Sequence, residues 1–80
     1  MSTITYQQAV QLTVDGRRLV NVELYREYIA REFGVYLICG GSGKQLTRAY
    51  RHCERLARAC GLAREEVIET AKVDAELLAE

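Results

Sequence analysis

The 80-residue chain contains no proline, no tryptophan, one phenylalanine and one histidine, and it has no net charge, because 11 Lys+Arg are balanced by 11 Asp+Glu. Without proline, no helix candidate carries an interior breaker. Chain reversal then falls to six glycines, and Gly16, Gly34, the run at 40–43 and Gly61 mark the boundaries. A lone histidine with no partner at a recognisable spacing cannot form a nucleophile–base pair, so the chain is expected not to be an enzyme. No stretch approaches the roughly 18–20 consecutive apolar residues needed to cross a bilayer. The start of the chain also lacks the basic-then-apolar order of a signal peptide, so a cytoplasmic location is expected, with no membrane partner. Cys39, Cys53 and Cys60 are odd in number, which argues against a disulfide scaffold. Together with His52 they show no Cys-x-x-Cys ligand spacing, so neither a metal nor a cofactor is expected.

What remains is a single small domain over residues 1–80, 49% hydrophobic and 28% charged. A chain of this size buries only about 60–65% of its unfolded surface, so its core is thin and a partner or a second copy can contribute to its stability. A mainly α fold of about four helices, at 6–14, 22–33, 43–60 and 63–78, is expected, with a short apolar strand or connector at 35–39.

The first segment reads two ways. Thr5 and Gln8 fit a capping box ahead of Tyr6, Ala9, Val10 and Val14 at helical spacing. Val10, Leu12 and Val14 also alternate into Asp15-Gly16, a hairpin turn, with Leu19, Val20 and Val22 beyond it, which would give an α+β fold with a hairpin at 9–22. From Asn21 the pattern is clearer. Asn21 is a favoured cap, Val20 and Tyr25 flank it as a staple, and Val22, Leu24, Tyr25, Tyr28, Ile29 and Phe33 share one face up to a stop at Gly34. Ser42 and Gln45 fit a second capping box, opening a helix that ends at Gly61.

That third helix carries the main signal. At about 100° per residue, Lys44, Arg48, Arg51, Arg55 and Arg58 fall within an arc of about 80°. Leu46, Ala49, Tyr50, Cys53, Leu56, Ala57 and Cys60 lie opposite, forming the core face, and His52 sits at the edge of the basic stripe. The four like-charge neighbours at three or four residues each cost about 0.2–0.5 kcal/mol, a penalty that interleaved acids would remove. Only Glu54 interrupts the stripe. Arginine predominates, and its planar fork suits phosphates and carboxylates. The last helix is the counterpart: Val67, Ile68, Ala71, Ala75 and Leu78 form its core face, and Glu65, Glu69 and Glu76 line its far side.

Residues 40–44, Gly-Gly-Ser-Gly-Lys, lie where a phosphate loop would, but Ile38 stands where its first glycine is required and Gln45 where a hydroxyl would hold magnesium. Nucleotide hydrolysis is not expected. The free amides of a helix start at Ser42, Gly43 and Lys44 remain a candidate anion site. Residues 53–72 resemble a helix-turn-helix domain, with Leu56 and Ala57 on a first helix, Gly61 four residues after that alanine, then Leu62, and Val67 six residues beyond the glycine. The resemblance implies a DNA-binding regulator, commonly a dimer, whose second helix enters the major groove. Here that helix would present Ala63, Arg64, Glu65, Glu66 and Glu69. The function expected first is a non-catalytic binding protein, a regulator or inhibitor, docking Lys44, Arg48, Arg51, Arg55 and Arg58 onto an acidic protein, a nucleoprotein complex or nucleic acid. A dimeric helix-turn-helix regulator is the alternative, and a homodimer is compatible with both.

Overall fold

The computed structural model describes residues 4–12, 15–40 and 43–79. Its elements in chain order are α1 (Tyr6–Ala9), β1 (Val10–Leu12), β2 (Arg18–Val20), α2 (Val22–Cys39), α3 (Lys44–Cys60) and α4 (Arg64–Ala79). The fold is mainly α with a small antiparallel hairpin.

Both readings of the first segment hold in part. The capping box forms: the Thr5 hydroxyl accepts from the Gln8 amide at 3.2 Å, and the Gln8 side chain accepts from the Thr5 amide at 2.9 Å. The helix expected over 6–14 nevertheless lasts one turn. At Val10 the backbone becomes extended, and β1 pairs with β2 in the register Val10–Val20, Gln11–Leu19 and Leu12–Arg18. The Ala9 carbonyl accepts from the Asn21 amide at 2.8 Å, so a group that would have propagated the helix closes the hairpin instead. Gly16 takes a left-handed φ of 78°, as the Asp15-Gly16 turn requires. Val14 lies outside the described residues.

Asn21 caps α2 by accepting from the Leu24 amide at 3.2 Å. The helix does not stop at Gly34, and 35–39 is neither a strand nor a separate connector: one helix of 18 residues runs through both and closes at Gly40, where φ is 66°. Gly34 is helical and buried, and a Cβ there would overlap the Cβ of Ala75. It is a close-packing site between α2 and α4, not a stop signal. α2 is the central helix, packed on α1, α3 and α4, and it buries Tyr25, Ile29, Ala30, Phe33, Gly34 and Leu37.

α3 follows Gly43, whose φ is 88°, and ends at Gly61 in the left-handed conformation. The N-cap is Gly43 and makes no side-chain cap. Ser42, the cap expected from the sequence, lies outside the described residues. α3 buries Ala49, Cys53, Leu56 and Ala57, with Leu46 and Cys60 packed partly against the same cluster. α4 buries Val67, Ala71 and Ala75. Leu78, expected in the core, is exposed: it lines a surface groove with Glu27 and Ala30, because α4 meets α2 through small residues and has passed beyond the core by its last turn.

Candidate anion-binding face

The amphipathic division of α3 fixes the site. Its apolar stripe is held by α2 and α4, which obliges the opposite stripe to face outward. Lys44, Arg48 and Arg51 line one shallow groove with Gly43, Gln45 and Thr47. Arg51, Arg55 and Arg58 line a second with Glu54, and here Arg18 of β2 joins them. Arg18 was not foreseen from the sequence. Nothing in its spacing links it to residue 51, and only the hairpin register, which sets it beside α3, brings the two together.

Among the described residues, no carboxylate lies within ion-pair distance of Arg18, Lys44, Arg48, Arg51 or Arg55. Arg58 pairs with Glu54 at 3.3 Å along the helix, but its side chain is 81% exposed, so the pair is weak and salt-screened. Elsewhere four acids are engaged, Asp74 by Arg26, Glu27 by Arg31, Glu65 by Arg64 and Glu69 by Lys72, while Glu23, Glu32, Glu66 and Glu76 make no ion pair among the described residues. No cation of the α3 stripe pairs with an acid of α4.

Arg55 is placed differently from its neighbours. Its guanidinium donates to the Tyr6 hydroxyl and lies over the Tyr6 ring, 5.6 Å from the centroid. It is half-buried and fastens α1 to α3.

His52 is not part of the stripe. It sits inside a ring of aromatic side chains, with centroids of Phe33 at 4.9 Å, Tyr6 at 5.5 Å, and Tyr25 and Tyr28 at 5.6 Å, and its Nδ1 is hydrogen-bonded to the Tyr25 hydroxyl. Burial, followed by the charges of Arg55 and Arg48, lowers its pKa to about 4, so it is neutral near pH 7. Burial likewise holds the Tyr25 phenol well above its ordinary pKa, and raises that of Tyr28. The fully buried Cys53 thiol is pushed up to about 11, which leaves it unreactive. Tyr25, Tyr28 and Phe33 on α2, with His52 at the border of the two α3 faces, were the sequence signal for this cluster. It was readable only once α2 and α3 were known to pack together.

Among the described residues no three His, Cys, Asp or Glu side chains are grouped to hold a metal ion, and no helix is long and apolar enough to cross a membrane. α3 and α4 are joined by a turn at residues 61–63, and the exposed start of α4 carries Glu65, Glu66 and Glu69. Arg64 there is paired with Glu65 and stacked on Tyr50, 5.7 Å from the ring centroid. Comparison of the chain with protein-family models, with curated proteins and with solved structures finds no match.

Proposed function

We propose that this chain is a small non-catalytic binding protein, of regulatory or inhibitory type, that docks the outward face of α3 onto an anionic partner. The observation that carries the reading is that, among the described residues, Lys44, Arg48 and Arg51 have no carboxylate partner, in a chain with as many acids as bases. A surface serving only solubility gains from interleaved acids, and this one accepts roughly 1–2 kcal/mol of like-charge repulsion instead. Arg58 extends the contact. Arg55 serves it indirectly, by holding α1 against the helix.

The competing reading, a dimeric helix-turn-helix regulator, is favoured by the short turn after Gly61. It requires α4 to approach DNA, and Glu65, Glu66 and Glu69 at the leading end would be repelled by phosphates. The two readings separate on mutation. Retention on an immobilised polyanion such as heparin should fall sharply on Arg48→Glu with Arg51→Glu, and should be unaffected by Ala63→Ser or Thr70→Ala. Unchanged retention of the double reversal would remove the proposal.

A further inference from the structure

Resting on that reading, we infer that the partner is a duplex nucleic acid, gripped through its phosphates by a continuous tract running from α3 onto the hairpin, without reading of bases. The tract is continuous because its grooves share walls. Arg51 belongs both to the groove at the start of α3 and to the one along its middle, and Arg18 belongs both to the latter and to a third groove on the hairpin with Tyr6, Gln7, Gln11 and the largely buried Val10. From Lys44 to Arg58 the cations extend over about 21 Å at a rise of about 1.5 Å per residue.

Three features of this tract select among anions. The first is that, among the described residues, it presents no large exposed apolar side chain. Interfaces with proteins bury an apolar, aromatic-rich centre, whereas nucleic-acid interfaces are wetter and far more cationic. Among the described residues the large exposed apolar side chains, such as Val35, Ile38, Val73 and Leu77, all lie off these grooves. Leu19 adjoins Arg18 in sequence but points to the opposite side of its strand. Amides and hydroxyls from Gln7, Gln11, Gln45 and Thr47 fill the spaces between the cations instead, groups suited to phosphate and sugar oxygens.

The second feature is the absence, among the described residues, of a stacking platform on the tract. Single-stranded nucleic acid is held by exposed rings on which bases lie. The ring nearest the tract, Tyr6, is packed against Tyr25, Tyr28 and His52 and covered by Arg55. Tyr50, the exposed tyrosine of α3, stacks with Arg64 away from the stripe. The third feature is the hairpin wall. Arg18 flanks α3, so the helix does not protrude as a recognition helix must to enter the major groove. It can lie along a phosphate ridge.

The test is fluorescence anisotropy with four probes: short mixed-sequence DNA and RNA duplexes, the separated DNA strand, and polyglutamate as the acidic-protein arm. A duplex of either kind should bind most tightly. For five contacting cations (Arg18, Lys44, Arg48, Arg51 and Arg58) the slope of log affinity against log salt should be about −4 to −5 on B-DNA, a loss of roughly 500-fold between about 50 and 200 mM salt. Arg18→Gln and Arg51→Gln should each weaken binding equally for unrelated duplex sequences and reduce the slope by about 1, with Glu69→Gln as a neutral control. Far-UV circular dichroism checks that each variant stays helical. Tighter binding of the single strand, or a marked preference for one duplex sequence, would overturn the inference. Binding of polyglutamate without either duplex would overturn it too, while leaving the docking role of α3 intact. Binding of none of the probes would overturn both.

Discussion

α3 and the α2–α4 pair draw on the same charged residues and arrange them oppositely. Between α2 and α4, Arg26 reaches across to Asp74, within α2 Arg31 meets Glu27, and within α4 Lys72 meets Glu69, so those cations have local partners. Along α3, among the described residues, Arg58 is the one cation with a carboxylate partner. The difference shows that zero net charge describes the composition of this chain and not its surface. Acids that could neutralise α3 exist but lie on α2 and α4, where Glu27, Glu65, Glu69 and Asp74 pair locally and Glu23, Glu32, Glu66 and Glu76 make no ion pair among the described residues, which leaves the α2–α4 side structural in character and the α3 face open. On the structural side α2 and α4 also approach closely, through Gly34 against Ala75. On the open side, the apolar stripe of α3 only anchors it.

The comparison breaks most readily at Gly34. Gly34→Ala inserts a methyl group where the Ala75 side chain already lies. Overpacking costs about 1–3 kcal/mol. Replacing a helical glycine returns about 0.5–1 kcal/mol, so a net loss of about 1–2 kcal/mol is expected in urea unfolding. Ala75→Gly added to that variant should recover part of the loss, as coupled contacts do. If Gly34→Ala were instead stabilising, the close approach of α2 and α4 would be wrong, and with it the account of why this glycine does not end the helix.

A second test addresses His52, which lies between the two sides. In the unfolded chain the imidazole titrates near its ordinary pKa of 6.5, and in the fold near 4. As pH falls through 6.5 the unfolded state takes up a proton that the folded state refuses, so stability present above that pH declines until about pH 4 and then levels off. The ring is only half-buried, so solvent screening reduces the effect to the order of 1 kcal/mol. Unfolding curves recorded between about pH 4 and 7 should show this slope in the native chain, and a smaller one in His52→Phe. Equal slopes in both would mean that the imidazole is not held neutral by its aromatic surroundings.

Much of the architecture was legible in the sequence, because caps and periodicity are local. The Thr5–Gln8 box, the Asn21 cap, the Asp15-Gly16 turn and the Gly61 end of α3 all follow from contacts within a few residues, whereas the capping box expected at Ser42 and Gln45 does not open α3, whose N-cap is Gly43. Features set by distant contacts were not legible. Gly34 looks like a stop until Ala75 is seen beside it, and residues 35–39 look too apolar for a helix until Leu37 is found in the core with Val35 and Ile38 exposed. The cationic stripe could be drawn from residue numbers alone, but Arg18 joined it only through the hairpin, and Arg55 was drawn away from it by Tyr6.

The smallest expected effect bears most directly on the open side. Arg51 is three residues from Arg48 and four from Arg55, so Arg51→Gln removes two repulsive neighbours and should raise stability by about 0.5 kcal/mol at low salt. The gain should shrink as salt screens the remaining charges, in chemical unfolding followed from about 0.01 M to 1 M salt. Coupled with weaker binding of a polyanion, that gain would mean that Arg51 is retained against the interest of the fold, as a residue directed at a partner would be. A loss of stability on Arg51→Gln would mean that the guanidinium already has a counterpart within the chain. The contrast between paired cations on α2 and α4 and unpaired ones on α3 would then fail at its central residue.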